Sequence, residues 1–163
     1  MKYLIAILLL FPLKSFTQDS CKLKKTQDPY TKELKFSTGF IPIGTARVSI
    51  QATKLEIDFL FSLGDGICLD DKTTATVFYP GTKVKTNLKN SGTMNCDGLF
   101  HLNFKNQANP NSYLQNLFNK QVSSIKFIDN TKKETVIELT GEQQQTFKAF
   151  VGCIVNEAKS LLQ

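Results

Sequence analysis

The chain has 163 residues, enough for one hydrophobic core and too few for two large domains. Its formal net charge of +6 is a mild excess, without the dense basic stripe of a nucleic-acid-binding domain, so no specific nucleic-acid partner is expected. Hydrophobic residues make up 41%, which supports a globular fold, and there is no tryptophan.

Lys2 gives a short positive start, and Leu4 to Leu13 form an apolar run too short to remain as a bilayer-spanning helix. Ser15 and Thr17 then place small residues at the −3 and −1 positions of a cleavage site before Gln18. This is the layout of a secretory signal peptide over residues 1–17, leaving 18–163 as a single exported β-rich domain. The Phe16-Thr17-Gln18 ending resembles the export signals of one group of Gram-negative bacteria. A buried first helix of a cytosolic domain competes with this reading, but the run ends in polar residues just where cleavage should occur. A lipid anchor on Cys21 is the other alternative. Gln18 and Asp19 stand against it, where a lipoprotein peptidase needs an apolar and a small residue. The expectation is a secreted or periplasmic product with no stable membrane insertion after cleavage.

From Leu34 onward the hydrophobic period is two, the mark of strands. Lys32 to Phe36 reads as a short charged strand. Gly39, Pro42 and Gly44 then break the chain into an irregular link through Phe40, Ile41 and Ile43. Arg47 to Ala52 alternates, with Val48 and Ile50 on one face. Leu55 to Leu63 is the clearest strand: Leu55, Ile57, Phe59, Phe61 and Leu63 share one face, and Glu56, Asp58 and Ser62 the other. Leu60 breaks the outer pattern and implies partial cover there.

Thr73 to Tyr79 is β-branched and aromatic, which suits a pleated surface. Pro80-Gly81 turns it into Lys83 to Lys89, with Val84, Thr86 and Leu88 inward. After Asn90-Ser91-Gly92, Leu99 to Phe104 points Phe100, Leu102 and Phe104 inward. These three segments read as one antiparallel meander. Ser112 is placed to cap a short helix whose Tyr113, Leu114, Leu117 and Phe118 share one side. Ser123 to Ile128 and Glu134 to Leu139 are two further strands around an Asp129-Asn130 turn. Finally Thr140 and Gln143 form a capping box before an amphipathic helix from Glu142 to Leu162, whose Phe147, Phe150, Val151, Ile154, Ala158 and Leu161 must cover a sheet. The fold class is α+β: a mainly antiparallel sheet of about seven or eight strands, sandwich- or partial-barrel-like, packed against a long C-terminal helix. A lipocalin-like barrel is the runner-up, although the tryptophan usual near its first strand is missing.

Cys21, Cys68, Cys96 and Cys153 form an even set in an exported chain, which favours disulfides. The absence of a Cys-x-x-Cys pair argues against zinc or thioredoxin-like chemistry. Three pairings are possible. The preferred one joins Cys68 to Cys96 across the strand region and Cys21 to Cys153 on the last helix, with reduced, buried thiols as the alternative.

His101 is the sole histidine, and on the alternating pattern it faces away from the core. A hydrolase would need it beside a nucleophile and an acid such as Asp97. Asp65, Asp70 and Asp71 gather around Gly64 and Gly66 but lack EF-hand spacing, so turn chemistry explains them more simply than calcium. Lys83, Lys85 and Lys89 line one strand, either as attraction for an acidic surface or as guards of an exposed edge. The polar run Asn90 to Gly98 is long for a strand connection, and a contact surface on a rigid scaffold is expected there. The candidate contact residues are Asn95, Asp97, His101, Lys83, Lys85 and Lys89.

The stretch Val136-Ile137-Glu138-Leu139-Thr140-Gly141-Glu142-Gln143 through Cys153 resembles small exported bacterial proteins in which a strand-rich body ends in a cysteine-containing helix. The resemblance implies fold and compartment and carries no activity. No nucleophile–base pair, metal motif, phosphate loop or cofactor fingerprint stands out, so no cofactor is called for. The expected function is a non-enzymatic exported binding or interaction module, its partner a protein or glycan. A carrier of a small apolar ligand is the alternative, and a hydrolase built on His101 ranks last.

Overall fold

A computed structural model describes residues 22–163. The expected signal peptide and Cys21 lie outside the described residues. The strands are β1 (Lys24–Gln27), β2 (Leu34–Ile43), β3 (Ala46–Ala52), β4 (Glu56–Ser62), β5 (Thr74–Phe78), β6 (Lys85–Lys89), β7 (Leu99–Lys105), β8 (Ser124–Ile128) and β9 (Glu134–Glu138). Helix α1 (Ser112–Asn119) lies between β7 and β8, and α2 (Gly141–Lys159) ends the chain with a 3-10 turn, Ser160–Leu162. The fold is α+β, with nine strands among the described residues in two antiparallel sheets of order β1-β2-β3-β4-β7 and β6-β5-β8-β9.

The alternation read from the sequence builds the core. Across the larger sheet, Val48, Phe61 and Phe100 form one row, Ile50, Phe59 and Leu102 the next, and Ala52, Ile57 and Phe104 a third. All nine are buried. The two sheets meet where Phe127 of β8 packs edge-on against Phe100 and Phe61, with ring centroids 4.9 and 5.7 Å apart. Helix α2 covers the β2–β3 part of the same sheet. It buries Phe147, Val151, Ile154, Val155 and Ala158, with Phe147 meeting Phe59 at 6.5 Å. Each fully buried phenylalanine contributes about 2–3 kcal/mol of transfer free energy, so this junction of two sheets and a helix dominates the packing.

Four expectations are corrected. Leu99 to Phe104 does not complete a meander with β5 and β6: β7 crosses to the other sheet and pairs with β4, because Phe100, Leu102 and Phe104 find their apolar row there. Gly39 and Pro42 do not break the chain. β2 runs through them with a bulge between Ser37 and Phe40, where Gly39 takes φ +66° and the Thr38 hydroxyl accepts the Ile50 N–H at 3.0 Å. Leu55 belongs to the turn before β4 and is 72% exposed, and Val84, which precedes β6, is also exposed. Helix α1 is capped by Asn111, whose side chain accepts the Leu114 N–H at 2.9 Å, and Tyr113 faces solvent.

The capping box at Thr140 and Gln143 is present, and it does more than cap. The Gln143 side-chain oxygen also accepts the Gly44 N–H at 3.1 Å, tying the β2–β3 turn to the start of α2. Gly44 has φ +53°, and a Cβ there would sit 2.5 Å from the Glu138 carbonyl oxygen. Only glycine fits that approach of turn to strand.

Candidate functional site

β7 is the edge of the larger sheet, and the polar run after β6 closes it. Residues 98, 100, 102, 104 and 106 turn their backbone groups toward β4, as the Leu63 N–H to Gly98 and Asn106 N–H to Leu55 bonds require. Leu99 and His101 therefore point theirs outward. Asn95 satisfies Leu99 with both ends of its amide, accepting the Leu99 N–H at 2.9 Å and donating to its carbonyl at 2.8 Å. Asn90 accepts the His101 N–H at 2.9 Å, and the Ser91 N–H donates to the His101 carbonyl at 3.0 Å. Asn90 itself is buried, and its amide also donates to the Asp70 carbonyl and accepts the Gly92 N–H.

The Cys68–Cys96 disulfide, expected from the sequence, pins this run to the loop after β4. An isolated bridge between Leu69 and Asn95 and the Gly98 N–H to Ile67 carbonyl bond reinforce it. Gly98 has no room for a side chain, since a Cβ would lie 2.1 Å from the Gly64 carbonyl oxygen. A disulfide of this kind is compatible with an oxidising, exported location. The second expected bridge, Cys21–Cys153, falls outside the described residues through Cys21, and no described cysteine is free.

His101 projects from β7 to the outer face, as the alternation requires. Its Nδ1 lies 3.3 Å from both carboxylate oxygens of Asp58 on β4. Among the described residues Asp58 is the ring's hydrogen-bond partner, in place of Asp97, which is exposed. Burial pushes the Asp58 carboxyl above the ordinary carboxylate range. His101 and Lys35 pull it back only in part, and Glu56 adds to the rise. His101 ends a row of positions running Phe40, Ser49, Leu60, His101 across the sheet, with Phe40 56% exposed and Leu60 half-buried, and Asp58 stands in the neighbouring row beside Asn103. An Asp–His pair can orient an imidazole as a base. The nearby Ser91 hydroxyl, however, donates to the His101 carbonyl at 3.1 Å and is not presented to the ring.

Of the six candidate contact residues, Asp97 is exposed and His101 half-buried, and Asn95 is committed to the Leu99 backbone. Lys85 and Lys89 lie on β6 and Lys83 just before it, all exposed. The aspartate cluster serves turns: Asp70 accepts the Lys72 and Thr73 N–H groups at 2.9 and 3.0 Å and the Asn130 amide at 2.8 Å. No group of three metal-ligating side chains occurs among the described residues. An open groove of ≈ 300 Å³ beside β1 and β2 is lined by Thr26, Gln27, Asp28, Glu33, Lys35 and Thr53. Asp58, Asn90 and the edge-capping role of Asn95 escaped the sequence reading. The outward position of Asp58 was visible there, but its pairing partner was not. No helix among the described residues is long and apolar enough to cross a membrane. Comparison with protein-family models, with curated proteins and with solved structures finds no match to this chain.

Proposed function

We propose that the chain is an exported, non-enzymatic binding or interaction module, processed before Gln18 and released to the periplasm or the exterior. The observation that supports this most is the filled interior. Phe59, Phe61, Phe100, Phe127 and Phe147 are fully buried and in ring-to-ring contact where the two sheets and α2 meet, the volume a carrier would keep open for its ligand. Recognition then falls to the surface. The cystine-pinned run from Asn90 to Gly98, hydrogen-bonded along β7, holds Met94, Asp97 and His101 on a fixed backbone. A protein or glycan partner fits such a mixed polar surface better than a small apolar ligand does.

Titration with an environment-sensitive apolar dye tests the reading. A filled interior gives weak, non-saturable fluorescence, and a saturable one-to-one isotherm would replace the module with a carrier. Export is tested separately by sequencing the N-terminus of the mature protein. A start at Gln18 is expected, and an acylated Cys21 at position one overturns it. The hydrolase reading ranks last because the His101 ring meets a carboxylate without a hydroxyl or thiol presented to it among the described residues.

A further inference from the structure

An antiparallel sheet ends in two strands whose outward N–H and C=O groups need water, a cover or another strand. The larger sheet covers the Leu99 and His101 part of its β7 edge with amide side chains. The smaller sheet ends in β6 and β9, and the register shows which residues face outward. The Asn90 N–H donates to the Thr73 carbonyl at 2.9 Å, one step beyond the Thr74–Lys89 pair. Hydrogen-bonded pairs alternate along an antiparallel ladder, so Leu88 and Thr86 turn to β5, while Lys85, Asn87 and Lys89 turn away. At the other end the Leu139 N–H donates to the Ser123 carbonyl at 2.9 Å and the Asp129 N–H to the Lys133 carbonyl at 3.1 Å. By the same parity Glu134, Val136 and Glu138 turn away from β8. Among the described residues, no backbone–backbone bond outside the ladders reaches these six positions. Their side chains are all exposed.

The two edges are therefore matched. One presents Lys-x-Asn-x-Lys and the other Glu-x-Val-x-Glu, each with its outward backbone groups at the same positions as its charges. We infer that β6 of one copy of this chain adds to β9 of a second copy, extending the four-stranded sheet head to tail. Strand direction alternates along β6-β5-β8-β9, so a β6 laid beside β9 with the sheet in the same orientation is antiparallel to it. In that register Lys89 stands opposite Glu134, Asn87 opposite Val136 and Lys85 opposite Glu138. The inward Leu88 and Thr86 continue the face of Ile137 and Thr135. Like edges are excluded, because β6 on β6 sets lysine against lysine and β9 on β9 sets glutamate against glutamate.

The β2–β3 turn at Gly44 crowds the Glu138 carbonyl, so Asn87–Val136 and Lys89–Glu134 carry the full backbone exchange. Five residues of edge bury less than a permanent interface needs, so the association is weak and driven by concentration. Because the contact joins unlike surfaces, it builds rings or filaments in preference to closed two-fold dimers. This deepens the interaction-module reading by naming a second copy as the partner.

Sedimentation velocity of the purified protein over a range of concentrations tests it. The wild-type sedimentation coefficient rises with concentration, and added salt suppresses the rise. K85E/K89E and E134K/E138K each weaken association by roughly tenfold or more. An equimolar mixture of the two restores it, since each reversed edge now meets a reversed partner. Asn87→Pro removes one outward N–H without altering charge and also weakens association. With K85E/K89E it keeps the test decisive even if E134K/E138K misfolds through its Lys126–Glu134 contact. A wild type that stays monomeric throughout, charge variants that associate like wild type, or a mixture of folded variants that stays monomeric overturns the inference. None of these outcomes touches the module reading, which the dye titration decides.

Discussion

Replacing Asn90 by alanine removes one buried amide and its three hydrogen bonds to backbone groups, of which the Asp70 carbonyl keeps the Thr73 N–H. The Asp70 carbonyl loses a donor at 2.8 Å, and the His101 and Gly92 N–H groups lose an acceptor at 2.9 and 3.1 Å. Each net bond is worth about 1 kcal/mol, with a larger penalty wherever water cannot reach the orphaned group. The three together give an expected loss of about 3 kcal/mol. For a domain of this size that corresponds to a fall in Tm on the order of 10 °C. Urea unfolding followed by circular dichroism reads it as a lower midpoint at unchanged slope. Asn103→Ala serves as the control: Asn103 is exposed on β7 and its side chain is bonded to the Glu56 side chain, so the change should stay within about 0.5 kcal/mol. If Asn90→Ala is as mild as that control, Asn90 is not the residue that fastens β6, β7 and the Asp70 loop together, and the account of a closed β7 edge fails.

Removing the Cys68–Cys96 bridge as a Cys68→Ser/Cys96→Ser pair frees a loop of 28 residues and should lower unfolding free energy by roughly 3–4 kcal/mol, measured in the same assay. Phe127→Ala empties the contact with Phe61 and Phe100 and should cost about 3–5 kcal/mol; a cost under 1 kcal/mol would mean the sheets do not rely on that ring. Asp58 carries a pH signature. Its folded pKa is raised above the ordinary 3.8, so the folded state holds its proton longer than the unfolded chain does. The sign follows: its contribution is most favourable below pH 3.8 and is lost as pH rises through the folded pKa. Asp58→Asn removes that dependence, so the variant should gain stability relative to wild type across this window and hold the gain at neutral pH. A relative loss at neutral pH would show that the Asp58 contact with the His101 ring outweighs burial.

Local periodicity made most of the fold legible and left its connections hidden. The inward rows of β3, β4 and β7 were readable because each strand has one wet and one dry face, which prints the alternation into the sequence. β1 was not readable: all four residues of Lys24–Gln27 are exposed, so nothing alternates. The pairing of β7 with β4 was hidden for a different reason. Phe100, Leu102 and Phe104 suit any sheet that offers an apolar row, and the crossover between sheets is decided by the whole core. Gly39 and Pro42 read as breakers because a bulge and a break share their residues, and the two are distinguished by the pairing with β3, which resumes at Phe40, and by the Thr38 side-chain bond to Ile50. At the site, His101 was placed on the correct face, while its acid came from a strand some forty residues away in the chain.

The contact residues chosen from sequence divide along the same line. Asn95 lies in a loop and is polar, which is what a ligand contact looks like in a sequence; its amide instead completes the backbone pairing of Leu99. Polarity alone therefore does not separate a group facing a partner from one closing an edge. Hydrogen-bond parity does separate them, because it says whether the backbone beside a polar side chain is already paired. By that measure β7 is closed at Leu99 and His101, whereas Lys85 and Lys89 stand beside backbone groups with no strand partner among the described residues. Lysines acting only as guards would leave the charge on the opposite edge unconstrained. That β9 carries glutamates at the matching outward positions, four residues apart like the lysines, is a relation between two edges that solubility does not require and strand addition does.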